Sequence, residues 1–328
     1  MIHTRPIRPE AEGPGRAPIG LRDSPLAGVP LQLLDGTLAP ADSGPDHLTL
    51  GHAPIAQGRC GLVRWQHDGD WLFGALELPQ DGISAESLAA QVQQAYHDLF
   101  QTLRDTGFTH PLRLWNYLPQ INAELGGLER YRHFNLGRQQ AFIEAGQAAF
   151  EGAPAACALG TRSGPLCIRI LAGRRAVRPL ENPRQVSAYH YPSDYGPRAP
   201  TFSRAALADV GEGRLLLLVS GTASIVGHAT LHAGDVQAQL NETLNNLQAL
   251  VDVASASGTA RFQLQDLHCT VYLRHREHLP LIRQGLQLRL GTSSPLLQRA
   301  VCLEADICRR DLLVEIEAHA LADGVLNP

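Results

Sequence analysis

No two of the six cysteines stand at a CxxC spacing, and no HxxxH or HxH pair of histidines is backed by carboxylates at ligand spacing. A dedicated zinc site or a dithiol redox motif is therefore not expected. Cys60, Cys157, Cys167, Cys269, Cys302 and Cys308 lie largely inside apolar, strand-like runs, which in a reducing compartment reads as small buried hydrophobes. No apolar run approaches the roughly 18 residues of a membrane span. The opening "MIHTRPIRPEAEGPGRAPIG" has charges and prolines where a signal peptide needs an apolar core, so a cytoplasmic protein is expected. An excess of basic residues is also missing: 28 Lys and Arg are intermixed with 32 Asp and Glu, for a net charge of -4. That leaves no basic stripe to neutralise a run of phosphates and argues against a nucleic-acid partner.

What is present is a duplication. A chain of 328 residues, 44% hydrophobic, can bury a large core and favours two domains over one. Residues 1–58 read as an irregular, Pro- and Gly-rich arm with a strand or two in "VPLQLLDG" and "HLTLG". From there a pattern begins that recurs near residue 214. The strand "DWLFGALEL" is followed by a helix with Leu88, Val92, Tyr96, Leu99 and Leu103 on one face, and "RLLLLVSGTASI" by a helix with Val236, Leu240, Leu244, Leu247 and Val251 so placed; both helices run up to a glycine. Each copy continues with a strand ("LRLWNYLPQIN", "LHCTVYLRHRE"), a second helix ("YRHFNLGRQQAFIEAG", "EHLPLIRQGLQLRLG") and a strand pair. Gly74 falls opposite Gly221, and Arg169 opposite Glu315. The expected fold is α+β: two tandem domains, each a mixed sheet backed by two helices, at 59–175 and 176–328. The stretch between the copies, "ENPRQVSAYHYPSDYGPRAPTFSRA", is too long and too rich in Tyr, Arg and Pro for a plain linker.

The residue pattern alone leaves the chemistry open. In "LLLLVSGTASIVGH" a buried strand exits into Gly, Ser and Thr, which fits either tight packing or close approach to a ligand. In "DLLVEIEAHAL", Glu315 and Glu317 share one face of an alternating strand, and half-exposed antiparallel strands turn such a face to solvent. Asn135 and Arg138, in "FNLGR", are placed at a helix start, where Asn can cap and Gly can allow close packing.

The second copy resembles the Rid (YjgF-like, chorismate-mutase-like) family through "LLLVSGTASI", "DVQAQLNETLNNLQALV", "CTVYLR" and "VEIEAHAL". That resemblance implies anion pockets between packed domains, built on an arginine and a glutamate that fall here on Arg299 and Glu315, and it implies a trimer-like arrangement. The longer run from Arg113 to Glu317, with "RLWNYLPQIN", "RYRHFNLGRQQAF", "PAACALGTRSGPL", the Tyr-rich linker and "ADICRRDLLVEIE", resembles the chorismatases. This resemblance implies cleavage of chorismate, with loss of its enolpyruvyl group as pyruvate and without metal or organic cofactor. It implies Glu315 as the acid that protonates the enol ether, and Gly221 and Cys308 as pocket residues of the 3-hydroxybenzoate-forming type, with 4-hydroxybenzoate as an accompanying product. Two carboxylates on the substrate call for guanidinium groups; the candidates are Arg138, Arg198, Arg204, Arg274 and Arg299, with Arg204 and Arg299 foremost. Tyr189, Tyr191 and Tyr195 are candidates to line the pocket. A Rid-like imine or enamine deaminase using the same Arg and Glu, and a non-catalytic metabolite-binding protein, are the competing readings; the partner expected in any case is a small molecule, with a homotrimer or a monomer as the assembly.

Overall fold

The computed structural model describes residues 26, 29–35 and 55–327, so "HLTLG" lies outside the described residues. Strand β1 is Gln32–Asp35. The first copy then runs through β2 (Ala56–Cys60), β3 (Val63–His67), β4 (Trp71–Leu78), helix α1 (Ala85–Thr106), β5 (His110–Pro119), the short hairpin β6 (Glu124–Leu125) and β7 (Leu128–Glu129), α2 (Arg130–Glu144), β8 (Ala155–Thr161) and β9 (Leu166–Gly173). The second comprises β10 (Val177–Leu180), β11 (Ala205–Gly211), β12 (Arg214–Ala223), the hairpin β13 (Ile225–Val226) and β14 (Ala229–Thr230), α3 (Val236–Ala256), β15 (His268–Leu273), α4 (Leu279–Leu290), α5 (Pro295–Arg299), β16 (Val301–Glu304), β17 (Asp306–Ile307) and β18 (Val314–Asp323).

The duplicated pattern becomes two seven-stranded mixed sheets of matching order, β17-β8-β5-β9-β4-β3-β2 and β1-β16-β15-β18-β12-β11-β10. In each, one parallel pair (β5 with β8, β15 with β16) sits among antiparallel neighbours. The end strands are exchanged. β17, from the second copy, pairs with β8 at the edge of the first sheet, while β1, from the N-terminal arm, pairs with β16 at the edge of the second. Covering an open edge with a strand from elsewhere removes unpaired N–H and C=O groups, and here it also stitches the two halves together.

Helices cover the outer face of each sheet. Ser84 caps α1 by accepting from Ser87 N–H, and Gly107 ends it in the left-handed conformation. The five predicted apolar residues of α1 are all buried, as are those of α3. α3 stops at Ser257 rather than at a left-handed glycine; Gly258 is needed because a side chain there would strike the Val325 carbonyl. α2 contains Asn135 and Arg138 in its interior, so Asn135 is not a cap; Gly137 is the close-packing residue, pressed on the Ala89 carbonyl of α1. The inner faces of the sheets meet in a third core that includes Trp115, Tyr117, Leu171, Leu216, Leu218 and Tyr272. Central strands buried on both faces account for apolar runs such as LLLLV in β12 and LCIRILAG in β9, the latter broken only by Arg169. Among the described residues no helix is long and apolar enough to cross a membrane.

Candidate active site

The sheet-on-sheet packing decides what happens to "VEIEA". Glu315 and Glu317 do share one face of β18, but that face looks into the seam between the sheets. They are 3% and 7% exposed, which corrects the solvent-facing expectation. Glu317 is fully engaged: its carboxylate accepts from Arg113 Nη2 at 2.6 Å and from the Tyr272 hydroxyl at 2.8 Å. Glu315 has no hydrogen-bond partner among the described residues. Its carboxyl opens instead onto a cavity of about 380 Å³, a size suited to a small-molecule ligand.

The position of Glu315 depends on Gly221. β12 carries a bulge between Val219 and Thr222, where its register against β18 slips. A methyl group at Gly221 would overlap Glu315 Oε1 and lie 2.8 Å from the carboxyl carbon. The space made by Gly221 is thus occupied first by the acid, and the exit of "LLLLVSG" serves both packing and the cavity. Ser220 pins the bulge: its hydroxyl donates to the Ser203 carbonyl at 2.6 Å and accepts from Ala156 N–H at 2.9 Å.

Burial with little compensation sets the protonation of the site. Desolvation, reinforced by the neighbouring Glu317 carboxylate and opposed by Arg113, Arg204 and Arg274, pushes the Glu315 carboxyl up to about 8. Glu315 therefore holds a proton at neutral pH. Cys308 faces the same cavity, and burial, with the nearby Glu315, pushes its thiol up to about 12. A neutral thiol is a weak donor and not a nucleophile at pH 7.

Positive charge lines the rest of the cavity. Arg204, 4% exposed, donates through Nη2 to the Val186 carbonyl and the Tyr191 hydroxyl, while its buried Nε has no hydrogen-bond partner among the described residues. Arg309 donates to the His228 carbonyl at 2.8 Å and lies 4.1 Å from the centre of the Tyr195 ring, and its Nη2 is also buried without a hydrogen-bond partner among the described residues. Arg132 and Arg310 complete this side; Glu129, Asp194 and Asp311 offset part of their charge. Tyr131, from α2, and Phe202 supply apolar surface next to Cys308.

Of the residues singled out in the sequence, Glu315, Cys308, Gly221, Arg204, Tyr191 and Tyr195 thus line one cavity. Others do not. Arg299 ends α5 and contacts His268 Nε2 at 3.2 Å. The register places Tyr272 beside Glu315 and His268 beside His319, four residues along, or roughly 13 Å at the strand rise. Arg299 and Glu315 therefore form no pair. Arg274 is committed to the 306–312 loop: it donates to the carbonyls of Ile307, Arg309 and Leu312 and to the Asp306 carboxylate. Arg138 is buried in α2 against the Tyr96 and Phe142 rings and is absent from the cavity wall, though its Nε and Nη2 have no hydrogen-bond partner among the described residues. Arg198 is exposed, and Tyr189 is buried outside the cavity. Arg309 and Arg310 were not among the sequence candidates. The available signal was their position, directly after Cys308 in "ICRRD".

The chain is also similar to proteins already known. The family model described as chorismatase FkbO/Hyg5-like, N-terminal, matches residues 48–172. The chain is 37% identical over 266 residues to a 3-hydroxybenzoate synthase of Streptomyces hygroscopicus, covering 78% of this chain and 75% of that protein. It is 37% identical over 270 residues to a chorismatase of the same organism, covering 80% and 76%. A crystal structure of a chorismatase superposes with a TM-score of 0.74 at 34% identity, covering 82% of this chain and 80% of that one.

Proposed function

The chain belongs to the chorismatase family, and from that premise we propose that the cavity cleaves chorismate to pyruvate and 3-hydroxybenzoate, with 4-hydroxybenzoate as an accompanying product. The observation that carries this reading is Glu315: a buried carboxyl without a partner among the described residues, protonated at neutral pH, and open to a cavity rimmed by guanidinium groups.

The difficult step is protonation of the enol ether at its terminal carbon. It places positive charge on the adjacent carbon and ether oxygen. A neutral carboxylic acid as buried as Glu315 can deliver that proton, and the carboxylate left behind faces the cation it has created. General-acid assistance of this kind is worth about 10²–10⁴ in rate. Arg204 and Arg309 line the cavity, and theirs are the guanidinium groups we assign to the two substrate carboxylates.

After protonation, the ring hydroxyl beside the ether attacks the ring carbon as pyruvate leaves with the ether oxygen. The hydroxyl proton returns to the Glu315 carboxylate, and the ring then aromatises to 3-hydroxybenzoate. Atoms balance without added water. Capture of the side-chain cation by water would instead give a dihydrodiol. The neutral Cys308 thiol and the Gly221 bulge, on the cavity wall beside Glu315, are the features we assign to the choice between these outcomes.

The test is direct: incubate the purified protein with chorismate, follow pyruvate with a coupled dehydrogenase, and resolve the aromatic products by chromatography. Pyruvate together with 3-hydroxybenzoate is expected. Absence of pyruvate sinks the reading, and pyruvate with a dihydrodiol alone sinks the product assignment.

A further inference from the structure

Behind the acid lies an ion pair that touches no part of the cavity. Arg113, on β5 of the first sheet, is 2% exposed and crosses the seam. Nη2 donates to Glu317 at 2.6 Å, and Nη1 donates to the Val219 carbonyl at 2.7 Å, where the β12 bulge begins. One guanidinium therefore grips both structures between which Glu315 sits: the β18 face through Glu317, and the bulge that presents Gly221. Tyr272 adds a third point, since its backbone pairs with Glu315 while its hydroxyl donates to Glu317.

We infer that the Arg113–Glu317 pair is a positioning element of the reaction, holding Glu315 in place and fixing the charge beside it without touching substrate. The inference rests on Glu315 being the acid of the chorismatase reading. Two carboxyls two residues apart on one strand face are about 6.6 Å apart at the backbone. With Arg113 in place, the charge on Glu317 is balanced locally and Glu315 is left as the neutral member. The other groups around Glu315 are Cys157 of β8, Tyr272 and Arg274 from the β15 side, Arg204, Cys308, and Tyr131 of α2. Of these, Arg204 and Arg274 are cationic and remain unchanged when the pair is altered.

The two members of the pair act with opposite sign. Glu317→Gln leaves the Arg113 charge unbalanced, which favours the Glu315 carboxylate; the basic limb of the kcat/KM profile for chorismate should move down by about one pH unit or more. Arg113→Gln leaves the Glu317 charge unbalanced and should move the same limb up. KM at neutral pH should change no more than about twofold in either variant, because neither side chain reaches the cavity. A purely structural role would slow both variants without moving the limb in opposite directions.

Limbs that stay at the wild-type pH, or that move together, overturn the inference, and a lone large rise in KM reassigns the residue to substrate contact. If only one variant folds, its sign decides; failure of both to fold also counts against the inference, making the pair an element of folding alone. Wild-type protein that releases no pyruvate from chorismate refutes the chorismatase reading, whereas a normal wild-type rate with unmoved limbs refutes only the role of the pair.

Discussion

β9 and β18 occupy the same place in their two sheets, yet one holds a closed ion pair and the other an open acid. Arg169 stands opposite Ala75 and Trp115, and Glu315 opposite Ala223 and Tyr272, so each is a buried ionisable residue between two partner strands on the central strand of its sheet. Arg169 donates to the Leu76 carbonyl at 2.8 Å and to the Glu77 carboxylate at 2.9 Å. Glu315 has no hydrogen-bond partner among the described residues. Two residues further along, the first half has the apolar Leu171 and the second has Glu317, bound to Arg113. Even the glycines differ in use: a side chain at Gly74 would meet Ile170, a packing neighbour, while one at Gly221 would meet the acid. The same central strand carries glue in the first copy and a reagent in the second, and the difference lies in whether the buried group is satisfied.

The largest expected effect is at the open member of the comparison. Glu315→Gln should keep the fold and lower kcat by about 10²–10⁴. It should also stabilise the protein. The native carboxyl keeps its proton up to about 8, whereas the unfolded one releases it near 4.5, so stability is lost as pH rises between these values. Gln removes that loss, and the gap corresponds to at most about 5 kcal/mol. A thermal melt at pH 8 with the variant below wild type would contradict the buried, uncompensated acid.

Next is Arg204→Met, which removes a guanidinium group from the cavity wall. We expect KM for chorismate to rise about 10–100-fold, the size of a lost charged hydrogen bond; an unchanged KM would show that the carboxylates bind elsewhere. Gly221→Ala should have a smaller effect on rate, several-fold in kcat, because the flexible end of Glu315 can move aside. Its signature is a shifted product ratio, and a ratio identical to wild type would remove the bulge from the choice of outcome. Smallest in activity is the closed member: Arg169→Met should cost about 1–2 kcal/mol in denaturant unfolding and leave kcat per folded molecule unchanged. A large loss of kcat there would break the contrast between the copies.

The fold was legible because the duplication repeats strand, helix and spacing, and burial on both sheet faces left its mark as apolar runs. The strand exchange was not: β17 is two residues long, Asp306–Ile307, and β1 pairs with a strand some 270 residues away. Glu315, Cys308, Gly221, Arg204 and Tyr195 were reached through family resemblance and fall on one cavity. The alternation around Glu315 by itself pointed to solvent, because a strand pattern does not reveal that a second sheet covers its polar face. The arginines were the least legible. Arg299, Arg274, Arg138 and Arg309 look alike in a sequence, and only register and loop path separate a contact with His268, a loop clamp, a helix-buried side chain and a cavity wall.

The most direct measurement of the central claim is the titration of Glu315 itself in the ligand-free protein. Carboxyl ¹³C NMR of glutamate-labelled wild type, with the resonance assigned by its absence in Glu315→Gln, should show one glutamate titrating near pH 8. A Glu315 midpoint near the ordinary 4.5 would mean that the cavity holds a carboxylate at neutral pH and that the proton for the enol ether comes from elsewhere.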